Sequence, residues 1–309
     1  MKNMWCSIKA QLFYQWKAKY VILLFVILVV LSIFSSYAQY HSLQQKEERF
    51  DATLAMYQKD GITLKQALVE DLEVKKAGNS EEISNILKYD YYRVIAAKVA
   101  LNPLNAPNQI FTSIAILFLP IIFGIYSCHV AFFDFKYGTY KSQLLLRGHR
   151  LFFFGKLLSV VIMAVGVVLF TVFLSMVVQY LFNAVMGVKA DMRVNYLAEL
   201  PLQVTYQAVV LILFGLFFFL LTVASRSTLI STVVLFIYML LVPNLGGFDL
   251  KNLMLISISK IYNTSAATMD VVSGENTNLM LGYLVVVTVF GLLTFFVYRW
   301  DKQRLCPEI

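Results

Sequence analysis

The sequence predicts an all-α, polytopic membrane protein, and three observations carry that expectation. Of 309 residues, 59% are hydrophobic and only 14% are charged, whereas a soluble domain carries about 25% charged and roughly 45–50% apolar residues. Six charge-free runs are each long enough to cross about 30 Å of hydrocarbon at 1.5 Å per residue. The basic excess, 26 Lys+Arg against 18 Asp+Glu for a net charge of +8, is unevenly spread along the chain. Together these exclude a soluble globular domain, a disordered chain and a fibrous one.

The elements follow in order. Residues 1–19 hold Lys2, Lys9, Lys17 and Lys19 and no acid. Trp5, Ile8, Leu12, Phe13 and Trp16 share one side of a helix, with Asn3, Ser7, Gln11 and Gln15 across from or beside it. That pattern predicts an interfacial helix on the cytoplasmic side. The first span covers 20–38. Ser36-Tyr37-Ala38 has the small-x-small form of a cleavage site. However, the apolar stretch sits at the upper limit for a signal peptide and a long basic segment precedes it, so an uncleaved helix is expected.

Residues 39–109 read as an extracellular helical segment inserted between the first and second spans. One helix is expected over 42–59, stopping at Gly61. A second opens on the capping-box pair Thr63 and Gln66 and ends near Gly78-Asn79. A third starts at Ser80, whose followers Glu81 and Glu82 suit a helix start, and reaches about Lys98. Asn102-Pro103 and Pro107 then break the chain.

The rest, 110–309, supplies spans near 110–132, 157–182, 201–225, 227–245 and 279–298, six in all with the first. Arg226 divides the fourth from the fifth, since an arginine at a helix centre costs about 2.5–3.5 kcal/mol on insertion scales. A tight turn at 224–228 is therefore expected. Between the last two spans, 249–278 opens with Leu250, Leu253, Met254, Leu255, Ile256, Ile258 and Ile261. A dozen apolar-rich residues are too few to span, so a re-entrant or interfacial hairpin is predicted.

Partitioning the charge orients these spans. Residues 1–19, the 134–156 loop, Arg226 and the C-terminal tail together hold 13 basic and 3 acidic residues, a net of +10. The other side holds 13 basic against 15 acidic residues, a net of −2. The positive-inside rule therefore places both termini in the cytoplasm. The basic excess reads as topology and attraction to membrane lipids, with no nucleic-acid partner. Cys6 and Cys306 fall at the cytoplasmic ends and Cys128 within the second span, so no disulfide framework is expected.

The chain lacks the residues of a catalyst. No GxxxxGK[ST] phosphate loop occurs, because Gly155-Lys156 runs into Leu157 without the upstream glycine. His41, His129 and His149 lie at different depths with no metal-ligand spacing. Glu47-Glu48 and Glu81-Glu82 sit in the aqueous segment and read as a solvated face. No catalytic, cofactor-binding or metal-ligating residue is assigned, and the chain is not expected to be an enzyme.

The most informative stretch is the inner loop 134–156. Gly138-Thr139 can end one helix and cap the next. Leu144, Leu145 and Leu146 give a short helix an apolar side, and Arg147, Arg150 and Lys156 a basic one, a combination suited to docking in a groove on a cytosolic partner. This loop resembles the corresponding segment of the type-2 ABC exporter permeases. There an acidic, Gly-Thr-containing stretch, a short leucine-rich coupling helix and a basic residue precede a Gly-Lys at the third span. Gly138-Thr139, Leu144–Leu146, Arg150 and Gly155-Lys156 match in order and approximate spacing. Tyr137 stands where a glutamate often precedes Gly-Thr, and Arg147-Gly148-His149 replaces the usual proline-containing turn.

The resemblance implies a permease subunit of an ATP-driven exporter in a bacterial-type plasma membrane. Its partners would be two separate ATP-binding subunits, which carry the ATP and magnesium, and a second copy or a sister permease. ATPase coupling falls on Asp134, Lys136, Gly138, Thr139, Lys141, Leu144, Leu145, Leu146, Arg147, Arg150 and Lys156, and the outer gate on Leu253, Met254, Ile258 and Ile261. A charge-free pathway suggests an amphipathic or hydrophobic cargo such as a peptide, an antibiotic or a lipid-like molecule. The alternative reading is a non-transporting membrane sensor or scaffold that binds an extracellular ligand through residues 41–109.

Overall fold

The structure, a computed structural model, describes residues 2–72, 74–77, 80–113, 115–242, 249–262 and 278–305. Its helices are α1 (Lys2–Lys17), α2 (Tyr20–Lys59), α3 (Leu64–Val69), α4 (Ile86–Ala100), α5 (Ala106–Thr112), α6 (Ala115–Lys136), α7 (Tyr140–Met186), α8 (Leu200–Ser225), α9 (Thr228–Phe236), α10 (Leu250–Ile261) and α11 (Leu279–Leu305). One antiparallel hairpin pairs β1 (Val74–Ala77) with β2 (Ser80–Ile83). The fold is that of an all-α, multi-pass membrane protein, with α2, α6, α7, α8 and α11 each long and apolar enough to cross a bilayer.

The fifth expected span is the exception to that length. Arg226 ends α8 with φ at 51°, in the left-handed region, and Ser227 caps α9, its hydroxyl accepting from the Ile230 amide. The break falls where an arginine would otherwise enter hydrocarbon. α9 and the π turn Ile237–Leu241 then give only 9 and 5 helical residues, about 21 Å of rise. Most of the expected remainder of this span, 243–245, lies outside the described residues. α9 packs against α8 and α6, and α8 and α11 run parallel. Tyr206 opposes Tyr283, Phe217 opposes Phe290, and Arg304 reaches the Ala224 carbonyl.

Two compact units divide the chain. The first comprises 1–31, 110–172 and 199–309. Its centre is α6 packed on α8, where Leu119, Phe123, Val210, Phe214, Phe218 and Phe219 are fully buried. Apolar side chains such as Leu23, Leu169, Leu284, Leu292 and Phe296 stay exposed on the helices. This is the expected surface when the solvent is lipid and bundle formation is driven by packing and polar contacts.

α1 shows the same inversion. Ser7, Gln11 and Gln15 recur every four residues, so they form one stripe, and that stripe is buried. Trp5, Phe13 and Trp16 point away from the protein, more than half exposed. The Ser7 hydroxyl donates to the Leu151 carbonyl at 2.9 Å, and the Gln15 amide donates to Ser159 Oγ at 2.7 Å. The Tyr126 hydroxyl donates back to Gln15 Oε1 at 2.5 Å. Gly155 makes the approach possible, since a Cβ there would collide with the Ser7 side chain. α1 thus docks on α6 and α7 through its polar side and leaves its aromatic side exposed.

The second unit comprises 32–109 and 173–198. Leu43, Val94, Ala97 and Leu101 form its core, with Phe50, Val188 and Ala190 packed against them. Residues 173–198 join it through specific bonds, the Asn183 amide to the Leu101 carbonyl at 2.7 Å and the Asp191 N–H to the Lys98 carbonyl at 3.1 Å. The insertion departs from three separate helices. α2 runs without a break from the first span to Lys59, because nothing between Ser36 and Lys59 caps or breaks it. The Thr63–Gln66 pair does open α3, the Gln66 carboxamide accepting from the Thr63 N–H and hydroxyl at 2.8 Å each. That helix ends at Val69, and the expected helix starting at Ser80 is replaced by β2, with α4 beginning only at Ile86 under the Asn85 cap. The Gly-Asn pair between two short runs is a hairpin signal, and Val74 pairs with Ile83 across it.

Substituting Gln15→Leu removes two of the bonds that tie α1 to the bundle and strands the buried Tyr126 hydroxyl. The expected loss is about 1–3 kcal/mol, read as a lower melting temperature in detergent. Phe13→Leu, on the lipid side, leaves the melt unchanged.

Candidate functional site

α6 ends at Lys136 and the chain turns through Gly138, whose φ of 68° is left-handed. A second left-handed residue, Gly148 (φ 73°, ψ 155°), interrupts α7 and separates a short helical foot, 140–147, from the long helix that follows. No neighbouring atom crowds either position. Glycine is therefore required there by the backbone torsion alone, which any side chain would strain.

Two buried clusters hold this foot. At its entrance, Lys156 Nζ lies 2.6 Å from Asp134 Oδ2, with both side chains 3% exposed. The same ammonium donates to the Ala131 carbonyl at 3.2 Å and lies over the Phe152 ring. Thr139 Oγ1 donates to the other carboxylate oxygen of Asp134 at 2.5 Å, which ties the loop's first residues to the pair. At the kink, His149 Nε2 bonds Asp301 Oδ2 at 2.9 Å, and Arg226 Nη2 stands 3.8 Å from Asp301 Oδ1. The His149 ring packs on Tyr298, and the Arg226 guanidinium covers the Phe135 ring. The two clusters join the ends of α6, α8 and α11 to the start of α7.

The residues singled out in the sequence therefore divide by direction. Leu145 and Leu146 are 89% and 80% exposed, and Lys136, Lys141 and Arg150 are exposed around them. Leu144 and Arg147 are half-buried. Asp134 and Lys156, expected among the charged contacts to a partner, instead face each other, because each offsets the other's loss of water. Their role is to position the foot. His149, Arg226 and Asp301 were not read as one cluster. The clue was Asp301, an acid inside the basic run from Arg299 to Arg304.

The expected outer gate lies at the opposite end of the same unit. α10, opened by the Asp249 side chain capping Lys251, is drawn into the bundle, with Leu253, Met254 and Ile258 buried and Ile261 half-buried. Leu253 packs with Leu213 and Val286. The Tyr206 hydroxyl donates to the Met254 carbonyl at 2.9 Å, and the Tyr262 hydroxyl to the Gln203 carbonyl at 3.1 Å. The second half of the expected hairpin, 263–277, lies outside the described residues.

Among the described residues no group of His, Cys, Asp and Glu is arranged to hold a metal ion. Cys6 and Cys128 are free thiols. The arrangement at 134–156 offers a cationic and apolar surface beside two buried polar clusters. Comparison with protein-family models, with curated proteins and with solved structures finds no match for this chain.

Lys156→Met leaves the Asp134 carboxylate buried without its counter-charge, and the expected cost is about 3–5 kcal/mol. The double variant Asp134→Asn/Lys156→Met recovers most of that loss. Thermal unfolding of the two variants in the same detergent checks both statements.

Proposed function

We propose that this chain is the transmembrane permease subunit of an ATP-driven exporter, engaging separate ATP-binding subunits through the foot at 140–147. The observation that carries this reading is the exposure of Leu145 and Leu146 on a foot held by two buried polar clusters. An apolar pair left in water on a firmly held support suits insertion into a partner's groove, and Lys136, Lys141 and Arg150 supply a basic rim. Because the clusters tie the foot to the ends of α6, α7, α8 and α11, closure of an ATPase pair beneath it would move several helices together.

In this reading the 134–156 face and both termini are cytoplasmic, the chain makes six crossings of a cell membrane with a short fifth helix, and α10 belongs to the exit gate. The permease works as a homodimer or with a sister subunit. ATP and magnesium reside on the partner chains, and the cargo is amphipathic or hydrophobic.

The test is a pair of full-length proteins, wild type and Leu145→Asp, each mixed with the ATPase that co-purifies with the wild type. Leu145→Asp is expected to lower ATPase recovery and permease-stimulated ATP hydrolysis at least tenfold while the melting temperature stays within a degree of wild type. Undiminished recovery and stimulation would refute the assignment of the foot.

A further inference from the structure

The second unit contains a pocket of about 240 Å³ lined by Ser42, Gln45, Lys46 and Arg49 of α2 and by Asp90 and Arg93 of α4. At about 30 Å³ of liquid per water, it holds several waters or one polyoxygen ion. Three cations and one carboxylate line it. The carboxylate is already engaged, since Asp90 Oδ1 pairs with Arg49 at 3.2 Å and Oδ2 accepts from Thr53 at 2.9 Å. The neighbouring acid Glu47 pairs with Lys98 at 2.9 Å. Among the described residues no ion pair engages Lys46 or Arg93, and the two repel each other. Burial and the nearby Arg93 hold the Lys46 ammonium below the usual lysine value, the mark of a cation lacking its counter-charge.

We infer that this pocket is a binding site for a phosphate oxyanion, held by Lys46 and Arg93 with Ser42 and Gln45 as neutral donors. A tetrahedral oxyanion presents three or four acceptor oxygens to an ammonium, a guanidinium fork, a hydroxyl and a carboxamide. A carboxylate presents two and leaves donors unused. The anion's charge also relieves the repulsion between the two cations. Such a phosphate belongs either to a free phosphorylated solute or to a lipid headgroup, and the inference stands independently of the transport reading.

The test uses the full-length protein. Inorganic phosphate is titrated calorimetrically into protein in neutral detergent at constant ionic strength. In parallel, native mass spectrometry counts phosphatidylglycerol retained from mixed phosphatidylcholine–phosphatidylglycerol discs. Saturable one-site binding is expected from at least one probe, inorganic phosphate marking a free solute and phosphatidylglycerol alone marking a headgroup. Lys46→Gln and Arg93→Gln are each expected to weaken it at least tenfold, while Lys65→Gln, an exposed charge elsewhere in the unit, leaves it unchanged. Without ligand, Lys46→Gln is expected to raise the melting temperature, because it removes a half-buried charge that no ion pair offsets. Absence of saturable binding from both probes, or equal weakening by Lys65→Gln, would overturn the site.

Discussion

The ion pair between Lys156 and Asp134 is the constraint on which the rest of the bundle's lower end depends. Two opposite charges with almost no exposure are held in contact at 2.6 Å. Each separately would cost several kcal/mol to remove from water, so neither is tolerated alone. The pair fixes where α7 begins relative to where α6 ends, and Thr139, bonded to the same carboxylate, fixes the path between them. α1 depends on the same geometry. Gln15 reaches Ser159, one turn beyond Lys156, and Ser159 Oγ donates to the Lys156 carbonyl at 2.7 Å. α1, the hairpin of α6 and α7, and the foot between them therefore share one polar anchor.

Such an anchor has a physical rationale in lipid. Apolar side chains gain little by leaving hydrocarbon for a protein interior, so burial of leucines does little to decide which helix face turns inward. Polar groups do decide it, because an unsatisfied hydroxyl, amide or charge is costly in hydrocarbon. The buried stripe on α1, the tyrosines around α10, and the His149–Asp301 contact all follow that rule. Each places polar atoms between helices and leaves the aromatic and aliphatic sides outward.

Much of the fold was legible in the sequence for the same reason that parts of it were not. Long charge-free runs mark helices whatever their neighbours, so the helices at α2, α6, α7, α8 and α11 and the break at Arg226 could be located. Gly138-Thr139 marks the start of the foot because left-handed torsions select glycine, whereas Gly148 reads only as part of a departure from the usual proline-containing turn. Periodicity showed that α1 has two faces. It carries no information on which solvent each face meets, and the polar one turned inward. The 74–83 stretch misleads because two four-residue strands are too short to separate helix from strand once capping signals are counted first. Lys156 and Asp134 were recognised as important, but their direction was not. A charge in a loop reads alike whether it faces a partner or a counter-charge 22 positions away, and only the antiparallel return of α7 along α6 brings these two together.

The left-handed glycines at either end of the foot have a mechanical consequence. Each turns the chain at a torsion that glycine adopts readily, so the foot is a short rod between two sharp corners. The polar clusters beside those corners act as braces. A load on Leu145 and Leu146 would pass to α6 through one brace and to α11 through the other. A lone surface helix would dissipate such a load in its own flexing. Were this foot to dock a partner, two remote helices would receive the load together.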